Sequence, residues 1–386
     1  MGAGPAGSCS AYESSKAGFK TIMLEEDRIV GVPIQCGEGL SAKAFENLEI
    51  QPQDSFVARR IESLVLYFPD GSSARIRIGG FTLHRDLFDQ YLAERAVDAG
   101  ATLMTSAKAI GYEKSRSTLR IATEKGVEEV KCRILIGCDG PKSKVAEWSG
   151  LMRREAWKMG LIRAYELRIQ GVRSDSFDFY FSPELSPGGY LWVFPKGENF
   201  SDVGIATFAP DSVRRLNEFM ERNGFRGEVM RRIAGVIPAK GPLERSYGDG
   251  VMVAGDAAGQ TNPVFFGGIH TGMLCGRLAG QTASEALTAE DTSASFLERY
   301  ERRWRELPLG DSSLLKSAEI LYDLSEHRLN RLGSILDGRD ITHLGTRGKL
   351  RILGETLYPS NWSLLPRLPD LLLLLKGLKI TRSWGW

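Results

Sequence analysis

The chain has 386 residues, 42% of them hydrophobic and 25% charged, with a formal net charge of +2. That length is too great for one small core, so about two domains are expected, and the near-neutral balance gives no whole-chain case for nucleic acid as a partner. Five cysteines (Cys9, Cys36, Cys132, Cys138, Cys275) show no CxxC pair or metal-ligand spacing, no signal peptide opens the sequence and no apolar run reaches the roughly 18 residues of a membrane span. The expectation is a cytoplasmic protein with reduced thiols and no metal site.

The run Gly2-Ala3-Gly4-Pro5-Ala6-Gly7 has the spacing of a dinucleotide fingerprint. Its glycines serve a tight turn, a close backbone approach to pyrophosphate and close helix packing. Glu25, about twenty residues on, is placed to accept from ribose hydroxyls. A Rossmann unit also carries a β-strand ahead of its glycines, and this sequence opens at Met1-Gly2. We expect that strand to lie upstream of this start, so that neighbouring strand edges are left exposed and cofactor binding is weakened.

Farther along, 63–68 and 73–78 read as strands around the turn Pro69-Asp70-Gly71, and 87–99 as an amphipathic helix with Leu87, Phe88, Tyr91, Leu92 and Val97 on its apolar side. Asp139-Gly140 ends the β-run that starts at Ile134. Strands are expected at 161–169, 177–181, 190–194 and 203–208. Within the third, alternation puts Tyr190, Trp192 and Phe194 on one face, either as ordinary core or as the wall of an apolar channel.

The segment 251–269 then returns to nucleotide chemistry. A short β-run stops at Gly255-Asp256, which sets a carboxylate at the carboxyl end of a strand, ready for a ribityl hydroxyl or a phosphate-side group. Gly267, Gly268 and Ile269 open a helix whose amides and positive end would meet a flat polar ring, as a flavin requires. Helices are expected at 293–307 and 312–332. The tail from Pro359 is rich in Leu, Pro and Trp, and Lys376, Lys379, Arg382, Trp384 and Trp386 suit either a membrane surface or a helix packed on the domain.

These elements describe a mixed α/β chain: a Rossmann-type FAD-binding domain (1–58, 81–150, 250–287), an inserted antiparallel β-sheet substrate domain (59–80, 151–249) and a helical C-terminal region (288–386).

With those residues laid out, the chain resembles the geranylgeranyl reductase family, within the flavoproteins that share the para-hydroxybenzoate hydroxylase fold, and is most similar there to archaeal digeranylgeranylglycerophospholipid reductases. The likeness rests on Pro33-Ile-Gln-Cys36-Gly37-Glu38-Gly39, on Pro187-Gly-Gly-Tyr190-Leu-Trp192-Val-Phe194-Pro195, which fills the pattern PxxYxWxFP, and on Gly267-Gly268-Ile269. Where the family continues to GxG, Gly204-Ile205-Ala206 carries Ala, which puts the backbone approach at residue 206 in doubt.

The resemblance implies FAD as cofactor, with Cys36, Gly37 and Gly39 beside the isoalloxazine, Arg85 on the cofactor phosphates, Ala109 near the adenine and Asp139 near the pyrophosphate. It also implies a proton-delivering or flavin-tuning role for Cys36. A small buried thiol is the plainer reading of Cys36, and a solvated helix-start residue the plainer reading of Arg85. A reversible disulfide between Cys36 and Cys275 is one further expectation, set against two independent thiols.

The implied reaction is hydride transfer from flavin N5, plus a proton, to carbon–carbon double bonds of a geranylgeranylated lipid. The electron donor stays open among ferredoxin, NAD(P)H and another reduced carrier, since no second fingerprint occurs. Two rivals share parts of the pattern: a flavin monooxygenase or halogenase, and an electron carrier to quinone.

Overall fold

Pro5 occupies the first position of helix Pro5–Lys16, where its missing N–H costs no hydrogen bond and its fixed φ suits the helix. The computed structural model, which describes residues 1–342, 348, 355 and 368–385, sets this helix over two small sheets. In one, Ile22–Leu24 pairs in parallel with Thr102–Met104; in the other, Val251–Val253 pairs in parallel with Leu135–Gly137 and antiparallel with Tyr247–Gly248. Met1 and Gly2 bridge the two. The Met1 amine donates to Ile136 O, Gly2 N to Leu24 O and Cys138 N to Met1 O, each at 2.8 Å. They fill the end of the slot in which the sequence reading puts a strand before the glycines.

Helix Ile269–Thr288 lies against Pro5–Lys16 through Gly272, Gly276 and Gly280, spaced to share one helix face. A Cβ on Gly276 would strike the Ala6 backbone, and one on Gly280 the Ser10 carbonyl. Because the later glycine meets the later residue, the helices run parallel. Their N-termini therefore open at the same place.

The larger sheet is built from distant segments in the order Val229–Pro238, Leu161–Gln170, Phe200–Thr207, Tyr190–Pro195, Phe177–Tyr180, Val57–Tyr67, Ser73–Leu83 and Arg339–Asp340, with Gly39–Ser41 also pairing Ser73–Leu83. It is antiparallel except where Phe177–Tyr180 meets Val57–Tyr67 and Arg339–Asp340 meets Ser73–Leu83. The strands expected at 161–169, 177–181, 190–194 and 203–208 all appear within a few residues of those bounds. One face of this sheet packs its aromatic side chains against C-terminal helices, and Leu314, Ala318, Leu321 and Leu329 are buried there. A separate antiparallel sheet joins Lys108–Glu113, Thr118–Thr123 and Gly126–Lys131.

The helix expected over 312–332 is two helices, Ser312–Asp323 and Glu326–Leu336. Leu324 and Ser325 take extended ψ of 126° and 156°, and the new helix starts after Ser325, a residue type suited to that boundary. Of the tail, 359–367 and Trp386 lie outside the described residues. Helix Leu368–Trp384 packs on Ser312–Asp323, where Gly377 leaves room for Ser317, whose hydroxyl donates to Leu373 O at 2.9 Å. No helix among the described residues is long and apolar enough to cross a membrane.

Candidate active site

The fingerprint glycines separate into two kinds. A Cβ on Gly2, whose φ is +90°, would collide with Cys138 O, and one on Gly7 with Gly2 O. These two glycines exist for packing. A Cβ on Gly4 would meet nothing within 4 Å, because Gly4 faces the large cavity between the nucleotide half and the sheet. Neither helix that starts at this cavity has a side-chain cap, so first-turn N–H groups of Pro5–Lys16 and Ile269–Thr288 are left for a ligand.

Asp256 lines the same cavity, and no hydrogen bond to its carboxylate occurs among the described residues. Burial pushes its pKa up to about 6, only partly countered by the Arg85 charge. An unpartnered carboxylate in such a place requires hydroxyl donors. Gly268 stands beside it because a Cβ there would sit 2.8 Å from Asp256 Oδ1. Gly267, Gly268 and Ile269 complete that wall. Uncapped helix ends, open space at Gly4 and a free carboxylate fit a dinucleotide cofactor along this line.

Other expected residues are placed differently. Glu25 accepts from Ala3 N at 2.9 Å, which ties the end of its strand to the glycine turn. The Asp139 carboxylate is fully engaged by Ser143 Oγ and the Lys144 and Val145 amides, so it serves the next helix, and Cys138 and Gly140 face the cavity instead. Arg85 lines the cavity but is not a solvated side chain: it forks onto Asp89 with two 2.9 Å bonds. Ala109 is buried in the small antiparallel sheet near Ile121 and is not brought to the cavity.

The aromatic run forms the opposite wall. Tyr190, Trp192 and Phe194 all line the cavity, as do Phe179, Phe265 and Phe266, which the sequence reading did not single out. Tyr190 Oη donates to Phe265 O at 2.5 Å and its ring stacks on Phe266 at 5.3 Å, so the hydroxyl is used within the wall. Trp192 and Glu166 both pair with Gly204 on the strand between them. The indole lies over Gly204, where a Cβ would overlap its ring carbons, and Nε1 donates to Glu166 Oε2 at 2.8 Å.

The Cys36–Gly39 loop closes one side of this cavity and is anchored by Glu38, a fully buried residue at φ +60°. Its carboxylate accepts from Arg85 N at 2.8 Å, pairs with Lys196 at 2.8 Å and also meets Arg168, which forks onto Asp202 at 2.7 and 2.9 Å. Burial opposes ionisation of Glu38, yet Lys196 and Arg168 hold its pKa below the usual carboxylate value. Cys36 lines the cavity; its sulfur accepts from Glu38 N at 3.2 Å, and burial pushes its thiol up. Cys275 packs elsewhere, fully buried near Met252, Tyr300 and Trp304, while Cys36 packs near Leu40 and Phe45. Both are free thiols, so the structure favours independent cysteines over the disulfide.

Residues 162–237 match the family model of the geranylgeranyl reductase catalytic domain. Digeranylgeranylglycerophospholipid reductase 2 of Methanopyrus kandleri is 37% identical over 395 aligned positions that span 98% of each chain. A geranylgeranyl bacteriochlorophyll reductase-like protein from Thermoplasma acidophilum superposes with a TM-score of 0.86 at 28% identity, over 95% of this chain and 97% of that one. A halogenase solved with phloroglucinol and FAD shares the fold alone, with a TM-score of 0.64 at 12% identity over 99% and 95% of the two chains.

Proposed function

Because the chain belongs to the digeranylgeranylglycerophospholipid reductase family, we propose that it is an FAD-dependent reductase that hydrogenates carbon–carbon double bonds of geranylgeranyl chains on glycerophospholipids. One observation carries this reading: a single cavity joins Gly4, Asp256 and Gly267-Gly268 to the Tyr190, Trp192 and Phe194 wall. A cofactor site thus opens directly onto a surface for an apolar chain.

Bound FAD, once reduced, supplies the hydride for one alkene carbon. The protein's share is binding and alignment. Gly4 and the uncapped helix ends take the pyrophosphate and the ring edge, Asp256 the ribityl hydroxyls, Glu25 the ribose, and Gly37 and Gly39 the ring face beside Cys36. Arg85 contributes positive charge from its position on Asp89. The substrate alkene has no carbonyl to polarise, so holding it over the ring in reacting geometry supplies most of what a protein can add. Tyr190, Trp192 and Phe194 align the chain and exclude water.

A reduced carrier from outside the chain delivers the electrons, in keeping with the single glycine fingerprint. We place the protein in the cytoplasm with its C-terminal helix toward the lipid surface, supported by the exposed Leu372 and Lys379 on Leu368–Trp384. The test is anaerobic incubation of dithionite-reduced, FAD-loaded protein with a geranylgeranylated glycerophospholipid, followed by mass spectrometry. A gain of two hydrogens per reduced bond is expected. No change in mass there, with a hydroxylated product in a parallel incubation under air, would overturn the assignment.

A further inference from the structure

Three buried carboxylates, the buried Lys196 and the partly buried Arg168 meet where the sheet faces the Cys36–Gly39 loop. Arg168 is taken by Asp202 and Glu38, and Lys196 by Glu38. Glu166 is the third carboxylate, and no cation pairs with it among the described residues. Only 2% of it is exposed, Oε2 accepts from Trp192 Nε1, and Oε1 has no partner although Glu166 lines the cavity. A Cβ placed on Gly37 would lie 3.3 Å from Glu166 Oε2, so the side chain stands against the loop that borders the ring site.

An ionised carboxylate with one oxygen orphaned in so buried a place carries a heavy desolvation cost, and it would leave the cluster with one negative charge too many. A protonated carboxyl removes the surplus charge and most of the desolvation cost, since the cluster becomes neutral, and it puts a proton on a residue that lines the cavity. We propose that Glu166 is held as a neutral acid and gives its proton to the second alkene carbon, with Trp192 as the residue that positions it.

The step balances. The π bond breaks and two C–H bonds form, one with hydride from the reduced flavin and one with the Glu166 proton. The flavin is oxidised by two electrons, the carboxylate left behind regains a proton from water, and the external donor reduces the flavin again. Burial, with Asp202 and Glu38 nearby, pushes the Glu166 carboxyl well above its usual range, against the pull of Arg168. A raised carboxyl is suited to give up a proton near neutral pH. Burial pushes the Cys36 thiol up as well, and its sulfur already accepts from Glu38 N at 3.2 Å.

The groups that could titrate with Glu166 are Arg168 on its own strand, Asp202 on Phe200–Thr207, Lys196 beyond Tyr190–Pro195, and Cys36 and Glu38 on the loop. The residues of Val229–Pro238 that line the cavity, Ile233, Gly235, Val236 and Ile237, are uncharged.

This inference rests on the proposed reaction, and its test separates the two. E166Q keeps an acceptor for Trp192 Nε1 and removes the acid. In single turnovers of the dithionite-reduced, FAD-loaded protein, E166Q should slow flavin oxidation by a geranylgeranylated lipid by about 10²- to 10⁴-fold. Flavin content and substrate KM should stay unchanged, the wild-type rate should fall as pH rises, and E166D should restore part of the rate. Infrared spectra of the wild type should show the carbonyl stretch of a protonated carboxylic acid, missing in E166Q. Wild-type turnover by E166Q, or the same acid band in both proteins, overturns the inference. A wild type that reduces no prenyl alkene sinks the functional reading and with it the proton transfer, while the infrared band still decides whether Glu166 holds a proton.

Discussion

Gly204→Ala is the sharpest test of how the aromatic wall is built. The added methyl would fall on Cζ2 and Cε2 of Trp192, in a strand with hydrogen-bonded neighbours on both sides, so the backbone has little room to retreat. The indole must move. Forcing an extra methyl into packing this tight costs about 1–3 kcal/mol. If the ring swings away, Nε1 loses Glu166 Oε2 in a buried setting, which adds about 1–3 kcal/mol. The expected destabilisation is therefore about 2–6 kcal/mol.

Urea unfolding of wild type and variant, followed by tryptophan fluorescence and by release of FAD, measures this directly. Gly111→Ala is the control: it also lies in a strand, but its added Cβ meets nothing within 4 Å, so a change within about 0.5 kcal/mol is expected. If Gly204→Ala proves as mild as Gly111→Ala and its indole emission is unaltered, then Trp192 does not lie over residue 204 and the Glu166 contact is wrong as well.

Gly4→Ala should leave the thermal midpoint unchanged yet weaken FAD binding at least about tenfold, or about 1.4 kcal/mol, because its methyl enters only the space meant for pyrophosphate; unaltered FAD affinity in a binding titration would refute that placement. Trp192→Ala should cost about 2–4 kcal/mol of stability or substrate binding and penalise a twenty-carbon chain more than a five-carbon one, whereas equal losses would make the stripe core alone. His270 is fully buried against Trp384, with Nδ1 unpartnered, and burial lowers its pKa from 6.5 to about 4. Its neutral form is the folded one, so stability is complete above pH 6.5 and falls by about 3 kcal/mol as pH drops toward 4, a loss that His270→Asn should abolish in pH-dependent unfolding.

Local chemistry was readable from the sequence, and chemistry that depends on strand register was not. The glycine fingerprint, the strand that stops at Asp256 and the alternation of Tyr190, Trp192 and Phe194 each follow from neighbours within a few residues, and all but the packing glycines line the cavity. Glu38 stands in the sequence as one residue of the Cys36 motif. Its partners Arg85, Lys196 and Arg168 lie 47 to 158 residues away in sequence, and nothing in local spacing brings them together. Asp139 misled for the converse reason. A carboxylate shortly before a helix start satisfies free amides as readily as it binds a ligand, and here Lys144 and Val145 take it. The break at Ser325 was hidden because leucines recur at helical spacing on both sides of it.

The doubt over Ala206 shows how a motif can mark the right place for the wrong reason. Ala206 is fully buried opposite Tyr190, and its methyl is accommodated. The close backbone approach belongs to Gly189 across from it, where a Cβ would strike Ala206 O. Gly204 is fixed by a side chain, the indole that crosses its strand to reach Glu166. A glycine inside a strand signals that something comes close, and that signal was present in the sequence. What came close was decided by register, since Trp192 and Glu166 both pair with residue 204. A one-residue slip in either pairing would turn the acid and the indole to opposite faces and break the contact between them.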